Sequence, residues 1–490
     1  MTESDILLKA KNYETEEAKK IKEEERPLFH LTARCGWMND PNGFSVYGGK
    51  YHLFYQYNPY STHWDKMHWG HVVSEDLLHW QYLPVALAPD SWYDRFGVFS
   101  GTATETKDGK HLLMYTGVRQ EKQADGKYKD VQVQCIAIGD GENYEKCVAN
   151  PVIDEKMLPK GASRNDFRDP KIWKCNDGSY CAAIANRPED KSGQILLFKS
   201  DDGFSWNYWT TLAKNNNRYG KMWECPDFFT LDGTAVLLTS PQDMTDDGKE
   251  FHSGNSTLCI LGAFDEKTGV FTEESYQTID SGIDFYAPQT TLSPDGRRIM
   301  IGWLQNWDGC SINESEKWAA QMSLPREIFI KDGRLWQKPI KELEAKRANK
   351  VSYSNEKIGE EKKSLEGVSG RVLDMELEIE ADDLFELSFA MDEKHCTKLI
   401  YRAKEGLLTI DRRRCGSRRA IIHTQDCLLK NCTEKLSLRV ILDRFSAEIF
   451  INGGIQVMSV ALPTPMDAKD IAFRARGNAL LSLNKYDLEL

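Results

Sequence analysis

The sequence predicts an all-β protein: a five-bladed β-propeller followed by a β-sandwich. Three observations predict it. Short strand-like runs such as HLFYQY (52–57), HLLMYTGV (111–118), VQVQCIAI (131–138), QILLFKS (194–200), TAVLLTS (234–240) and RRIMIGWLQ (297–305) recur without long amphipathic helices between them, which argues against a parallel α/β sheet. Polar or acidic residues beside aromatics recur at near-equal steps: Asp40, Ser100, Asp169, Glu224 and Tyr286 lie 60, 69, 55 and 62 residues apart. After residue 362 the pattern becomes a plain period of two, the mark of half-buried antiparallel sheet.

The chain has 490 residues, 40% hydrophobic and 28% charged, enough to bury large cores without disulfide staples. Its formal charge of −12 argues against nucleic-acid or anionic-membrane partners. The N-terminus lacks an apolar signal segment, so a cytoplasmic location is expected. Twelve cysteines are scattered with no CxxC pair, as in a protein of reduced thiols; the Asn255, Asn313 and Asn431 sequons then carry no meaning.

Residues 1–29 read as a helical extension, charged and mostly exposed from Asp5 to Glu25 and ended by Pro27. Residues 30–335 form the propeller domain. Asp-Gly pairs at 108, 125, 177, 232, 247 and 295 supply tight turns. SEDLLHW (74–80) and SDDGFSW (200–206) share Ser-x-Asp-x-x-x-Trp and stand 126 residues apart, two units of 63. In a propeller the first strand of each blade lines the central axis, so residues distant in sequence meet in one funnel. Residues 336–362 read as a charged linker with some helix, and 363–490 as the sandwich, where Met375, Leu377 and Ile379 alternate with Glu376, Glu378 and Glu380.

Three carboxylates stand out as candidates. Asp40 sits in WMNDPNG (37–43), Asp169 in NDFRDPKIW (165–173) and Glu224 in KMWECPDFF (221–229), each near an aromatic and a proline. One such carboxylate reads as structural; three at matching positions in successive repeats point to acid–base chemistry. His63, His68 and His71 read as packing and hydrogen-bonding groups, since no carboxylate or cysteine spacing completes a metal site. The basic cluster Arg412, Arg413, Arg414, Arg418 and Arg419 reads as a solvated face or domain interface in preference to a phosphate site.

These motifs, with FSGTA (99–103) and DFYAPQ (284–289), resemble glycoside hydrolase family 32, the β-fructofuranosidases; ILDRFSAEIFINGG (441–454) resembles the family's sandwich domain. FSGTA carries Thr102 where serine is common. The resemblance implies Asp40 as nucleophile, Glu224 as general acid/base and Asp169 as the carboxylate that binds fructosyl hydroxyls. It places Asn39, Gln56, Trp64, Phe99, Ser100, Arg168, Tyr286 and Trp303 around the fructose. It implies a retaining exo-β-fructofuranosidase that acts on sucrose or sucrose 6-phosphate through a covalent fructosyl-enzyme, with no metal or organic cofactor. An intracellular fructo-oligosaccharide hydrolase and a fructosyltransferase share that first step. A non-catalytic sugar-binding propeller and a sialidase or arabinanase are the rivals from other classes. A retaining pair of carboxyls stands about 5–5.5 Å apart and cannot ionise equally. The expectation is that turn amides keep Asp40 charged while Glu224, between Trp223 and Cys225, holds its proton to higher pH.

Overall fold

The structure is a computed structural model that describes residues 4–248, 250–309, 317–417, 422–430 and 435–490. Arg418, Arg419, Asn313, Asn431 and two of the cysteines, Cys310 and Cys432, lie outside the described residues.

Five antiparallel sheets form the blades of a propeller. Their innermost strands are β1 (Gly36–Tyr47), β2 (Gly97–Glu105), β3 (Phe167–Lys174), β4 (Trp223–Leu231) and β5 (Tyr286–Leu292). β1 touches β2, β2 touches β3, and so on to β5, which returns to β1, so the five close a ring. The short strand Trp318–Ala319 leaves the fifth blade and pairs in parallel with β1, tying the end of the ring to its beginning. Apolar clusters fill the spaces between neighbouring blades; Leu112, Met114 and Ile136 of the second blade pack on Tyr180, Ile184 and Phe198 of the third. Side chains of this size contribute about 1.5–3 kcal/mol each when fully buried.

The Asp-Gly pairs at 108, 125, 177, 232 and 295 turn hairpins, their glycines at φ between 79° and 86°. The pair at 247 lies in a longer loop between strands Thr234–Pro241 and Leu258–Asp265. The Ser-x-Asp-x-x-x-Trp repeat is one turn used twice. Ser74 Oγ donates to Asp76, which accepts from the Leu78 and His79 amides; Ser200 donates to Asp202, which accepts from the Phe204 and Ser205 amides. Each links the third strand of its blade to the fourth.

Two sheets of six and five strands form the C-terminal sandwich. Leu373, Met375, Leu377 and Ile379 face Phe385, Leu387 and Phe389 across one core. The expected linker, 336–362, is mostly sheet. It holds the end of the propeller strand Arg334–Pro339, a short helical turn over Lys341–Lys346 and the sandwich strand Arg347–Ile358. That last strand is a sheet edge with polar residues on both faces. Such an edge resists further pairing and hides the period-two signal.

The N-terminal helix α1 runs from Asp5 to Ala18, capped by Ser4 Oγ accepting from the Leu7 amide at 3.1 Å. It stops short of Glu25, with Lys19 as its C-cap, and Lys19 and Lys20 pair with Glu16 and Glu17 of the last turn. It is docked on the first blade through buried Ala10 and Glu14. Glu14 accepts from the Val85 amide at 3.0 Å and meets Arg34 at 3.3 Å; burial pushes its carboxyl up to about 7.

Propeller and sandwich meet over buried ionic groups. Arg326 bonds Glu448, Asp280, Gln337 and Ser459, all at 3.0 Å or less. His30 bridges Asp443 and Glu448 at 2.9 Å each, and the amides of Leu28, Phe29 and His30 all donate to Asp443. Arg412, from the basic cluster, is buried here against Asp284 of the propeller; Arg413 and Arg414 face outward, on Asp411 and the Glu393 and Lys394 carbonyls.

Candidate active site

The β pairing slips in every innermost strand, and in β1 a second time between Asn42 and Ser45. The register breaks between Met38 and Pro41, Phe99 and Gly101, Arg168 and Lys171, Glu224 and Asp227, and Tyr286 and Gln289. Asp40, Ser100 and Asp169 lie inside these bulges, and Glu224 and Tyr286 are the last paired residues before theirs; these are the five residues whose even spacing marks the repeat. A bulge adds a residue without a ladder partner and re-aims its side chain. In three successive blades it forces a non-glycine residue to positive φ: Asp169 at 62°, Cys225 at 49° and Ala287 at 51°. Backbone of this kind costs of order 1 kcal/mol per residue and persists where the surroundings over-determine it. Gly101 answers a different demand: a Cβ there would stand 2.0 Å from the Met114 carbonyl oxygen.

The bulges bring the three acids into one hydrogen-bonded web. Ser100 Oγ donates to Asp40 Oδ2 at 2.6 Å. Cys225 Sγ lies 3.5 Å from that same oxygen and 3.7 Å from Asp169 Oδ2. The Cys225 amide donates to Asp169 Oδ2 at 3.0 Å, and Thr116 Oγ1 accepts from the Asp169 amide. Arg168 lays Nε and Nη2 on Glu224 Oε1, at 3.1 and 2.8 Å, and stands 3.9 Å from Asp169. Tyr286 Oη is 2.7 Å from Glu224 Oε2 and 3.0 Å from the Ser240 carbonyl oxygen.

Buried Asp169 and half-buried Glu224 share one buried arginine, Arg168. Burial raises the Asp40 carboxyl above its ordinary range, opposed by Ser100 and reinforced by the charge of Glu224. Burial likewise raises Asp169 to about 7, with Arg168 pulling down and Glu224 and Asp40 pushing up. The expected turn amides are not among the hydrogen-bond partners of Asp40. Its hydrogen bond comes from a serine hydroxyl, and its Oδ1 is buried without a partner. Asn39 and Asp40 fall in the break of the β1 pairing between Met38 and Pro41, and Pro41 has no amide hydrogen to offer.

The residues 30–339 match the model of the glycosyl hydrolases family 32 N-terminal domain, and 342–487 match that of the family's C-terminal domain. The chain belongs to glycosyl hydrolase family 32. It is similar to the raffinose invertase of Escherichia coli (36% identity over 93% of each chain) and to the sucrose-6-phosphate hydrolase of Zymomonas mobilis (33% identity, 99% of this chain and 96% of the relative). Among solved structures it resembles a Bombyx mori GH32 beta-fructofuranosidase mutant in complex with sucrose, with a TM-score of 0.85 and 30% identity over 100% of this chain and 99% of that one. It also resembles the sucrose-6-phosphate hydrolase of Lactobacillus gasseri, with a TM-score of 0.84 and 28% identity over 100% and 97%.

The remaining expected pocket residues of this family 32 hydrolase fall into three groups. Asn39 and Gln56 are buried and held: Asn39 accepts from Trp37 Nε1 at 2.8 Å, and Gln56 donates to the Val98 carbonyl at 3.1 Å. Phe99 is half-buried, and Trp64, 47% exposed, stands edge-on to it at 5.8 Å. Trp303 is fully buried with its Nε1 unpartnered. It packs against Trp37 at 5.8 Å and Trp307 at 4.9 Å, and Trp307 stacks on Trp37. Sequence reasoning passed over Trp307, whose four-residue spacing from Trp303 was the available signal. It also passed over Cys225, which bonds both aspartates, and Asp166. Thr102, the departure from the usual serine, ties β2 to β3 by donating to the Pro170 carbonyl and accepting from the Ile172 amide.

The histidines lie apart from this web. His71 is stacked on Phe54 at 4.0 Å and bonded to His52 at 3.1 Å, and His68 Nδ1 bonds the Lys66 carbonyl. His63 is tied to Ser61.

Proposed function

We propose that this hydrolase is a retaining exo-β-fructofuranosidase that releases the terminal non-reducing fructosyl residue of sucrose or sucrose 6-phosphate. The observation that carries the reading is the junction at Cys225, where the amide and thiol of the residue after Glu224 reach both Asp40 and Asp169. The names of the relatives point to the same substrates. The absence, among the described residues, of any helix long and apolar enough to cross a membrane is compatible with a cytoplasmic site of action.

In this reading Asp40 Oδ1, the oxygen with no hydrogen-bond partner, attacks C2 of the fructosyl unit. The C2–O bond to the leaving sugar breaks, and Glu224 gives its proton to that oxygen. Ser100 holds Oδ2 and limits rotation of the carboxylate. Water then attacks C2 with Glu224 as base, and Asp40 departs with its electron pair. Asp169, held by the Cys225 amide, accepts hydrogen bonds from fructosyl hydroxyls. Trp64, Phe99 and Trp307, the last backed by buried Trp37 and Trp303, supply apolar faces for the sugar.

Glu224 must serve both protonated and ionised, and its surroundings accommodate both states. Tyr286 has one hydroxyl proton and two acceptors. With Glu224 ionised the hydroxyl donates to Oε2; with Glu224 protonated it turns to the Ser240 carbonyl and accepts the carboxyl proton.

A panel of sucrose, sucrose 6-phosphate, kestose, inulin and a sialoside, assayed for released monosaccharide, tests the substrate class. Glucose and fructose in equal amounts from sucrose are expected, with no sialic acid. Glu224→Ala should slow poor leaving groups by about 10²–10⁴ and activated ones far less; a uniform loss would remove Glu224 from the acid role.

A further inference from the structure

Arg168 presents the acid/base with a difficulty. Its Nε and Nη2 both rest on Glu224 Oε1, a charge-assisted pair that favours the carboxylate. A general acid needs the opposite at the moment of bond breaking. Tyr286 has a second acceptor to turn to, and Arg168 has one as well.

That acceptor is Asp166. Its Oδ1 takes Arg168 Nη1 at 3.0 Å, while Oδ2 takes Arg187 Nε and Nη2 at 3.1 and 2.8 Å. One carboxylate therefore sits between two guanidinium groups, one of which touches Glu224. Arg187 is the residue that follows strand Tyr180–Asn186, whose last residue pairs with Phe167 at the start of β3. Its amide also donates to the Asp166 carbonyl. The Asp166 backbone carbonyl is fixed besides by Asn186 Nδ2 at 2.8 Å, so the side chain leaves a rigid stem. Gln132 Oε1 is a distant further neighbour of Arg168 Nη1, at 3.5 Å.

Resting on the reading of Glu224 as acid/base, we propose that Asp166 is a positioning residue for catalysis: as the second counter-ion of Arg168 it lets the guanidinium loosen from Glu224, and Arg187 sets how strongly Asp166 pulls. The charged and titratable groups facing this assembly are Asp40, Asp169, Tyr286 and Cys225 on the Glu224 side and Arg187 on the Asp166 side. Asp166 takes no part in bond making. It acts through Arg168 alone, and its two arginines give it opposed handles.

The opposed handles make the test. In Asp166→Asn, Arg168 keeps its whole charge for Glu224, which favours ionised Glu224. The alkaline limb of the pH profile of kcat/KM for sucrose then moves to lower pH by about one pH unit, with kcat falling about tenfold and KM changing little. In Arg187→Gln, Asp166 turns its full charge to Arg168, and the same limb moves to higher pH. Asp166→Glu restores the acceptor and brings the limb back toward the wild-type position. A residue that only braced the fold would lower activity in both variants without moving the limbs in opposite directions. The carboxyl titration of Glu224 is read independently, without substrate, as the band in pH-difference infrared spectra that vanishes in Glu224→Gln. Limbs that superimpose in all variants, or infrared transitions that do not move, overturn the role of Asp166. Wild-type protein that leaves sucrose intact overturns the fructosidase reading instead, and the infrared transitions still decide for or against Asp166.

Discussion

The funnel and the interface between propeller and sandwich bury the same kinds of side chain and supply them with cations to different degrees. At the interface Arg326, Arg412 and His30 answer Asp280, Asp284, Asp443 and Glu448. Pairing with His30 and Arg326 holds Asp443 and Glu448 below the ordinary carboxylate range despite burial, and the two acids raise His30 to about 9, while burial still raises Asp280 and Asp284 beside their arginines. In the funnel Arg168 answers both Asp169 and Glu224, Asp40 takes a serine hydroxyl in place of a cation, and burial raises Asp40 and Asp169. Burial alone does not decide whether an ionisable group is structural or reactive. The supply of cations does: three for four acids make the interface a fastener, and one for the three acids of the funnel leaves a deficit available to a substrate.

The largest way to break this contrast is Asp40→Asn. It should reduce kcat for sucrose by about 10⁴-fold or more, with the melting temperature unchanged or higher. An equal loss of stability would make Asp40 one more interface-type acid.

Next is Arg326→Met, which strands Asp280 and Glu448 in a dry interface. A loss of about 3–5 kcal/mol in unfolding free energy is expected, read by denaturant titration. A neutral result would show that water or rearrangement replaces the guanidinium.

Asp169→Asn should separate the regions by sign. The folded-state value of Asp169, about 7, lies above its value in the unfolded chain. The native state therefore binds more protons in between, and stability falls as pH rises through that window. Above it, ionised Asp169 is a cost that asparagine removes. Asp169→Asn should raise stability at about pH 8 by on the order of 1 kcal/mol while abolishing most activity; in the wild type kcat/KM should fall as the pH drops below about 7.

The smallest effect concerns His30, whose folded value is raised. Its contribution is present in full below its unfolded value, near 6.5, and is lost as pH rises through about 9. His30→Gln should therefore destabilise most at about pH 6 and progressively less toward about pH 9. A pH-independent loss would mean that His30 is neutral in the fold.

Much of this molecule is legible in its sequence, for physical reasons. The Asp-Gly turns and the twice-used Ser-x-Asp turn are local and satisfy their own hydrogen bonds, so residue identity alone reports them. The even spacing of Asp40, Ser100, Asp169, Glu224 and Tyr286 is visible because each blade repeats the same bulge on the same strand. Other features depend on partners far along the chain. The edge strand Arg347–Ile358 shows no alternation because neither of its faces is fully buried. Glu14 belongs to a charged helix and is buried only because Val85 and Arg34 arrive from elsewhere. The hydrogen bonding of Asp40 is not legible in its own motif because the partner, Ser100, comes from the next blade, sixty positions along the chain. Asp166 was passed over because its importance lies in Arg187, twenty-one positions away.

The central claim is that Asp40 forms the bond to fructose while Glu224 manages the protons. It is tested most directly in Glu224→Ala supplied with a β-fructofuranoside bearing an activated leaving group. Release of that group needs no acid, whereas hydrolysis of the intermediate still lacks its base. After acid quench and proteolysis, mass spectrometry should find one fructosyl unit esterified to the peptide that contains Asp40. An adduct on another carboxylate, or none despite a burst of released leaving group, would contradict the account.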